Sequence, residues 1–302
     1  MDIALTNVHL DLGAGRRGTD MGPSALHVAG LVPALRRLGH TVENIQSIGS
    51  PSFEARPCGD SHVRFLHEVT KVVRTLADQT EAAMDAGRFP LVLGGDHSIA
   101  IGTITGMVRS MRRQGKRLGV IWVDAHTDMN TPDTSPSGNI HGMPVACLLG
   151  RGPAALTREL LEGDPAIRPE DIVLVGIREV DPREAETVRE MGVRAYTMSE
   201  LDARGTAACL REAFATVTGH TDGIHLSFDL DGVDPEHAPG VGTPVPGGLS
   251  LRESHLLCEW AAQTGRLVGM EMVELNPTRD VRNRTGELAR WLIESALGRS
   301  IL

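Results

Sequence analysis

The sequence predicts an α/β protein in which a central, mostly parallel eight-stranded sheet lies between two layers of helices, as a three-layer sandwich. Eight short apolar or alternating runs recur along the 302 residues, and helical patterns separate most of them. Most of these runs are almost continuously apolar. That composition is typical of parallel strands buried on both faces, because crossover helices cover such a sheet on each side.

Each predicted element follows from its own pattern. Apolar or alternating runs predict strands at 3–8, 41–48, 90–94, 118–124, 172–177, 193–197, 223–230 and 267–275. Helical patterns predict helices at 23–38, 61–86, 98–114, 183–191, 200–217, 250–264 and 287–297. Pro23 supports the first helix start, because proline is favoured in a first turn, where an N–H has no partner inside the helix. In such sheets ligands gather beyond the carboxyl ends of the strands, so we expect a site there.

Two of the predicted strands end in acidic and histidine side chains spaced two residues apart. The strings WVDAHTD, at 122–128, and SFDLDGVD, at 227–234, carry them. Successive side chains of a strand point to opposite faces, so residues two apart project together where the extended backbone persists. The residues grouped in this way are Asp124, His126 and Asp128 on the first string and Asp229 and Asp231 on the second. These spacings indicate a metal site built in two halves.

A third strand end supplies a sixth candidate ligand. The string FPLVLGGDHS, at 89–98, runs from an apolar strand through a Gly-Gly turn to His97. Four carboxylates and two imidazoles are too many, and too rich in oxygen, for one tetrahedral zinc site with an open position. Two divalent ions that share bridging carboxylates fit better. Mn²⁺ best suits hard oxygen ligands with some imidazole, and Co²⁺, Ni²⁺ or Fe²⁺ are imperfect substitutes. The pattern therefore predicts two Mn²⁺ per chain.

Simpler interpretations exist for each string taken alone. Aspartate and glycine at a strand end are also ordinary turn and helix-cap residues, and a histidine such as His97 can pack at a helix start. An EF-hand loop is excluded, because Gly232 falls at the fourth loop position rather than the sixth, and Gly240 stands at position twelve. Without a metal, three coincidences at three separate strand ends would be needed, which favours the metal site.

Several longer strings match one family. They are GGDHS at 94–98, DAHTDMNTP at 124–132, SPSGNIHGMP at 135–144, SFDLDGVDP at 227–235 and GTPVPGG at 242–248. The match extends from GTDMGP at 18–23 to ELNP at 274–277 and covers most of the chain. On these strings the chain resembles the arginases of the ureohydrolase superfamily, and SGNIHGMP is similar to arginases in particular. The resemblance implies an arginase-like fold for the predicted sheet and its helices.

The resemblance implies hydrolysis of L-arginine to L-ornithine and urea by a hydroxide that bridges two Mn²⁺ ions. A guanidinium has a pKa above ~12 and a delocalised charge, so water is too weak a nucleophile to attack its carbon. Metal binding lowers the pKa of water and supplies hydroxide at neutral pH. By the family pattern, one ion is held by His97, Asp124, Asp128 and Asp229, and the other by Asp124, His126, Asp229 and Asp231, with Asp124 and Asp229 as bridges.

The resemblance also implies roles for residues around the metals. His141 corresponds to the family's proton-shuttling histidine, and a mobile loop would leave its pKa near neutral. Glu274 corresponds to the glutamate that pairs with the guanidinium, and Asp128 is expected to be catalytic as well as a ligand. Substrate-binding roles are implied for Asn130, Ser135, Ser137 and Asn139 toward the α-carboxylate, for Asp181 and Glu184 toward the α-ammonium, and for Thr243. Without the resemblance, a solvated loop histidine, a cap residue and solvated polar loops are the simpler interpretations.

Three residues depart from the commoner form of the family's motifs, and one further motif is misleading. Asp133 and Pro136 lie inside the 130–137 loop, and Glu271 stands near the metals where aspartate is commoner, so affinity and pH optimum are expected to change rather than reaction type. The string GAGRRG at 13–18 spells a dinucleotide fingerprint, but its third glycine does not open a helix. We expect a flexible loop near the substrate entrance instead.

Composition narrows the class of protein and its partners. The net charge of −9 argues against nucleic acid and mildly favours a cationic substrate, such as the L-arginine that the resemblance implies, although a negative balance usually serves only solubility. Nowhere do 18 uninterrupted apolar residues occur, and no targeting pattern opens the chain, which predicts a cytoplasmic protein with no membrane partner. The cysteines lie far apart without C-x-x-C spacing and indicate reduced thiols: Cys58, Cys147, Cys209 and Cys258.

The spread of candidate residues bears on domain organisation. Residues at 97, 124–128, 229–231 and 274 must meet in one place, so we expect one catalytic domain over 1–302. The resemblance implies a homo-oligomer, a trimer or hexamer.

Three alternatives to an arginase stay open. Another ureohydrolase would act on agmatine, guanidinobutyrate or formiminoglutamate, and the SGNIHGMP string disfavours it. A zinc deacetylase of related fold would need one metal. A noncatalytic, metal-stabilised regulatory subunit would usually lack a ligand, and here none is missing.

Overall fold

The structure, a computed structural model, describes residues 1–43, 45–161 and 163–300. Eight strands form a single sheet in the order β2-β1-β3-β8-β7-β4-β5-β6, and every pair of neighbours is parallel. The strands are β1 (Ile3–His9), β2 (Ile45–Gly49), β3 (Phe89–Leu93), β4 (Leu118–Val123), β5 (Ile172–Ile177), β6 (Arg194–Thr197), β7 (Gly223–Asp229) and β8 (Leu267–Val273).

Helices cover both faces of the sheet. They are α1 (Gly22–Val28), α2 (Leu31–Arg37), α3 (Leu66–Asp85), α4 (Ala100–Arg113), α5 (Pro144–Leu148), α6 (Arg158–Leu161), α7 (Pro182–Met191), α8 (Met198–Arg204), α9 (Thr206–His220), α10 (Leu251–Gln263) and α11 (Arg284–Ala296). Within the described residues, no helix has both the length and the apolar character needed to cross a membrane.

Neighbouring residues of one strand belong to different layers of the core. On β4, Ile121 packs in the cluster that contains residues of α1, α2, α9, α10 and α11, whereas Val120 and Trp122 pack in a cluster with α4. On β3, Val92 joins a third cluster with α3. The central strands β3 and β4 therefore bury apolar surface on both faces, which is why they are apolar throughout. The predicted three-layer α/β sandwich is confirmed.

The predicted elements are present, with differences at their boundaries. The second strand begins at Ile45 rather than at 41, and α3 begins at Leu66 rather than at 61. Two helices predicted as continuous are each split, at Gly30 (φ 82°) and at Gly205 (φ 84°), because a backbone with positive φ interrupts a right-handed helix. The short helices α5 and α6 carry no periodic pattern long enough to predict them.

The strand order places four strand ends side by side. β3, β8, β7 and β4 are consecutive in the sheet although they are far apart in the chain. Because the strands are parallel, their carboxyl ends lie along one edge. The segments that follow these strands carry His97, Asp124 to Asp128, Asp229 to Asp231 and Glu274.

Candidate active site

One group of side chains surrounds His97 at the carboxyl ends of β3, β4 and β7. The Nδ1 atom of His97 lies 3.0 Å from Oδ2 of Asp124, 3.2 Å from Oδ2 of Asp128 and 3.1 Å from Oδ2 of Asp229. All four side chains are buried. Ligand atoms of His97, Asp124 and Asp229 lie within 4.8 Å of one another, a spacing that could hold one metal ion.

A second group adjoins the first. The Nδ1 atom of His126 lies 3.3 Å from Oδ1 of Asp124 and 3.2 Å from Oδ2 of Asp231. These three residues also offer ligand atoms within 4.8 Å of one another. Asp124 belongs to both groups through different oxygen atoms, as a bridging carboxylate would. Asp229, the other predicted bridge, lies near His97 through Oδ2 and accepts a hydrogen bond from the Asp231 amide through Oδ1.

The donor set fits divalent cations. Within the described residues, Nδ1 of His97 is buried and has no hydrogen-bond partner, although three carboxylates surround it. A buried nitrogen without a partner is costly unless it binds something else. Four carboxylates with two imidazoles are ligands that suit Mn²⁺ and similar ions.

The buried carboxylates also repel one another. Burial, together with the charge of Asp124, raises the pKa of Asp128 to about 7. Burial and the charges of Asp231 and Asp124 raise the pKa of Asp229 well above its ordinary value. A cation among them would relieve this repulsion and favour the ionised carboxylates.

The same carboxylates also fix their own turns. Oδ1 of Asp124 accepts a hydrogen bond from the His126 amide at 2.7 Å, and Oδ1 of Asp229 accepts one from the Asp231 amide at 2.7 Å. Turn chemistry, the simpler interpretation of these strings, is therefore present alongside the cluster. One oxygen of each aspartate shapes the turn, and the other oxygen lies near His97.

Two residues of the site have an uncommon backbone conformation. Asp128 has φ 52° and Glu274 has φ 64°, in the left-handed region that side chains other than glycine rarely adopt. Such conformations cost about 1–3 kcal/mol and persist where the surrounding structure requires them. Here they direct two carboxylates toward His97 and His141.

Behind His97, a chain of polar contacts runs into the sheet. Nε2 of His97 lies 2.9 Å from Oγ of Ser227, which donates to Oε1 of Glu271 at 2.8 Å. Nε2 of His225 lies 3.2 Å from the same carboxylate oxygen. The His97 ring also stacks on Trp122, with 3.9 Å between ring centroids. These contacts hold the ring so that Nδ1 points toward the three aspartates.

A cleft of about 520 Å³ opens over the cluster. Most of the predicted site residues line it: His126, Asp128, Asn130, Ser135, Ser137, Asn139, His141, Asp181, Glu184, Asp229, Asp231 and Thr243. Ala14 and Arg16 line it as well, so the GAGRRG string contributes to the entrance of the cleft. Glu274 is buried and is not among the residues that line it.

Some of the polar side chains that line the cleft already form hydrogen bonds within the protein. Nδ2 of Asn130 donates to Oδ2 of Asp181 at 3.0 Å. Oγ of Ser135 accepts from the Gly138 amide at 3.0 Å, and Oγ of Ser137 accepts from the Asn139 amide at 3.2 Å. The two serine hydroxyl oxygens also lie 3.5 Å apart, so one hydroxyl can donate to the other and the second keeps a proton to donate.

Glu184 and Thr243 have structural contacts that the resemblance did not imply. Glu184 accepts from Oγ1 of Thr127 at 2.6 Å, from the Met129 amide at 2.9 Å and, across a capping box, from the Asp181 amide at 3.2 Å. It thereby ties the segment after β4 to the start of α7. Oγ1 of Thr243 donates to Oδ2 of Asp231 at 2.9 Å.

His141 lies against Glu274, and its surroundings differ from the expectation of a near-neutral pKa. Nδ1 of His141 is 3.0 Å from Oε1 of Glu274, which also accepts from the His97 amide at 3.1 Å. Burial lowers the pKa of His141, but the hydrogen bond with Glu274 and the neighbouring carboxylates outweigh it and raise the pKa to about 9. The contacts of His141 therefore favour a protonated ring over the expected near-neutral pKa.

Sequence reasoning missed Arg178, which follows β5. Its guanidinium donates to the backbone carbonyls of Gly176, Asp231, Gly232 and Val245 at 2.6 to 3.2 Å. It thus joins the turn that carries Asp231 to the loop that carries Thr243. A single arginine after a strand gives no signal of this role, because most of its partners are backbone atoms distant in the chain.

Comparison with known proteins places this geometry in one family. The arginase family model matches residues 1–298. The arginase of Bacillus caldovelox is 47% identical over 301 residues, with 99% of each chain covered. The arginase of Bacillus subtilis (strain 168) is 45% identical over 301 residues, again with 99% of each chain covered.

Solved structures agree with the sequence matches. A crystal structure of arginase from Bacillus subtilis has a TM-score of 0.93 at 44% identity, with 100% of each chain covered. A hypothetical agmatinase from Burkholderia thailandensis, at 24% identity and a TM-score of 0.70 over 98% of this chain and 84% of that chain, shares the fold alone. By sequence and by structure, the chain belongs to the arginase family of hydrolases.

Proposed function

We propose that the chain hydrolyses L-arginine to L-ornithine and urea with two Mn²⁺ ions, as a single catalytic domain spanning 1–302. The observation that carries the proposal is the pair of His/Asp groups that share Asp124 beneath a polar cleft. His97, Asp124, Asp128 and Asp229 would hold one ion, and Asp124, His126, Asp229 and Asp231 the other. When bound, the metals make hydroxide available at neutral pH, which a guanidinium carbon requires.

The charges of the site favour a cationic substrate. The four aspartates of the two groups would balance two divalent cations, and Glu274 would add a negative charge beside them. Oε2 of Glu274 is buried and has no hydrogen-bond partner within the described residues. A carboxylate oxygen in that state is suited to accept an N–H of the guanidinium and to orient its carbon.

The leaving amine of ornithine needs a proton, and His141 is placed to supply it. Its Nδ1 is held by Glu274, and its ring lines the cleft, so Nε2 is the nitrogen left for the substrate. The nearby carboxylates favour the protonated ring. General acid catalysis by one histidine contributes about 10²–10⁴-fold to a rate.

Replacing His141 with asparagine should separate proton transfer from substrate binding. We expect kcat to fall by about 10²-fold or less and KM to change little, because the group acts in the chemical step. Mn²⁺ content should stay at the wild-type level. Steady-state urea release, measured together with metal analysis, checks this, and an unchanged kcat would remove His141 from the mechanism.

The α-carboxylate end of the substrate should set the preference for arginine over agmatine, which lacks that group. Asn130 lines the cleft and contacts Asp181, so the pair would meet the α-carboxylate and the α-ammonium. Asn130→Ala should lower kcat/KM for arginine by about 10–100-fold, the loss expected for a hydrogen bond to a charged group. Agmatine, already a poor substrate, should change much less.

A matched control lies in the same loop. Asp133 is exposed and does not line the cleft, so Asp133→Ala should leave the arginine-to-agmatine ratio near its wild-type value. Equal losses for both substrates in Asn130→Ala would mean that Asn130 shapes the loop rather than recognising the carboxylate.

A substrate panel tests the proposed reaction. Metal-free protein should be incubated with Mn²⁺ and with arginine, agmatine or guanidinobutyrate in parallel, and urea should be measured. Arginine is expected to give most of the urea. Agmatine or guanidinobutyrate as the preferred substrate would indicate another ureohydrolase, and no urea from any of the three would favour the noncatalytic alternative. The cytoplasmic location stays a prediction from the sequence pattern, and the trimeric or hexameric assembly stays a prediction of the resemblance.

A further inference from the structure

Asp96, which follows β3, is a buried carboxylate whose contacts lead away from the metal cluster. Its side chain is 0% exposed. Oδ2 accepts hydrogen bonds from the amides of Gly13 at 2.8 Å and Ala14 at 3.2 Å. Oδ1 accepts from the amide of Ser98 at 3.1 Å and from its hydroxyl. Within the described residues, Asp96 forms no ion pair with a cationic side chain, so these donors compensate for its burial.

The Gly13–Ala14 backbone is also held from its other side. The carbonyl of Gly13 accepts from the His141 amide at 3.2 Å, and the carbonyl of Ala14 accepts from Nδ2 of Asn139 at 3.0 Å. The two peptide units therefore lie between Asp96 and the segment that carries Asn139 and His141. Through these two peptide units, hydrogen bonds connect the end of β3 to the wall of the cleft.

Two glycines of the GAGRRG string are required by this close packing. A Cβ on Gly13 would lie 2.6 Å from Oδ1 of Asp96, and a Cβ on Gly15 would lie 2.7 Å from Oδ1 of Asn139. At either distance the Cβ atom or the polar side chain beside it, Asp96 or Asn139, would have to shift. Gly15 also has φ 61°, a conformation that strains other residues. The motif that resembles a dinucleotide fingerprint thus has another use, as a thin spacer between two polar side chains.

We infer that Asp96 is a positioning residue, whose carboxylate fixes the Gly13–Ala14 backbone and, through it, Asn139 and His141 on the wall of the cleft. It sets the affinity for the α-carboxylate end of the substrate without touching the substrate. The inference rests on the proposed function for its consequence in catalysis. Its structural part, the anchoring of residues 10–18, does not depend on the substrate.

The carboxylate is needed because both of its oxygens accept hydrogen bonds. Oδ2 accepts from the backbone of residues 13 and 14, and Oδ1 accepts from Ser98. In Asp96→Asn, only one side can keep an oxygen, and the NH₂ group would face backbone or hydroxyl donors on the other side. One of the two anchors must then be lost. Ser98→Ala is a matched control, because it removes a hydroxyl bonded to the same carboxylate and leaves the contacts with Gly13 and Ala14 in place.

Hydrogen exchange and kinetics test the inference together. In the Mn²⁺-loaded protein, Asp96→Asn should speed exchange of the 10–18 amides by about tenfold, raise KM for arginine by a similar factor and leave two Mn²⁺ per chain, since one buried hydrogen bond is worth about that much. Agmatine kinetics should change less. Ser98→Ala should show wild-type exchange and KM.

The outcomes separate the inference from the proposed function. Unchanged exchange and KM in Asp96→Asn would overturn the inference, and so would loss of Mn²⁺, which would show that Asp96 supports His97 instead. If Asp96→Asn does not fold, Gly15→Ala tests the same connection from its other end and should raise KM for arginine. Faster exchange in Asp96→Asn, combined with a wild-type protein that releases no urea from arginine, would uphold the anchoring and reject the proposed substrate.

Discussion

Replacing Asp229 with alanine is expected to lower urea release from arginine by more than about 100-fold. Asp229 is buried, and its Oδ2 lies 3.1 Å from Nδ1 of His97. Loss of residues that only support metal ligands costs about 10–100-fold in metal affinity or activity. Loss of a carboxylate that bridges two ions should lower metal affinity or activity at least as much, because both ions lose a ligand. Metal analysis and urea release, measured on the same preparation, check both effects.

Asp234 offers a control within the same motif. Its side chain accepts hydrogen bonds from the amides of Glu236, Gly247 and Gly248 and belongs to neither His/Asp group. Asp234→Asn should therefore keep its metal content and most of its activity. An Asp229→Ala variant that binds two Mn²⁺ and works at the wild-type rate would show that Asp229 is not a bridge.

Removal of Mn²⁺ is expected to lower the thermal stability of the protein markedly. The free energy gained from a ligand that binds only the folded state is about 2.7 kcal/mol at 100 times Kd and about 4.1 kcal/mol at 1,000 times Kd. For a chain of 302 residues this corresponds to a Tm higher by about 5 °C or more. The physical reason is the set of buried aspartates, which repel one another when no cation lies between them.

The increase in thermal stability caused by Mn²⁺ should depend on pH. In the metal-free protein the pKa of Asp128 is raised to about 7, above its unfolded value. Between the ordinary aspartate pKa and 7, the folded state therefore binds more protons than the unfolded state at this residue. The contribution of Asp128 to stability falls as pH rises through that window. Mn²⁺ replaces the proton, so its stabilising effect should grow toward neutral pH and shrink in acid.

Thermal unfolding with and without Mn²⁺, at pH values below and above 7, checks this dependence. The difference in Tm should be larger at the higher pH. Mg²⁺ at the same concentration serves as a control, because Mg²⁺ dehydrates reluctantly and rarely takes imidazole ligands. A Tm that is unaffected by Mn²⁺ at every pH would contradict a metal site in this cluster.

Much of the fold follows from local patterns in the sequence. Strands such as β4 and β7 are buried on both faces, so their apolar runs identify them directly. The two breaks at Gly30 and Gly205 were missed because a single glycine hardly changes a helical pattern. Periodicity reports which residues face a core, and it is insensitive to the backbone conformation at one position.

Part of the candidate site also follows from local patterns in the sequence, and part of it does not. Spacing along single strands brought together Asp124, His126 and Asp128, and it did the same for Asp229 and Asp231. The surroundings of these residues depend on contacts between distant parts of the chain, which spacing cannot show. Glu274 is 133 residues from His141, and its carboxylate nevertheless decides the pKa of that histidine. Arg178 and Asp96 anchor their surroundings through hydrogen bonds to backbone atoms, and residue types give no signal of such bonds.

The central claim, a two-metal arginine hydrolysis, is tested most directly by titrating metal-free protein with Mn²⁺. Bound metal per chain and urea released from arginine should be measured at each step. We predict that the protein binds two Mn²⁺ per chain and that activity reaches its full value only as the second ion binds. Full activity with a single ion bound at saturating Mn²⁺ would contradict the two-metal account.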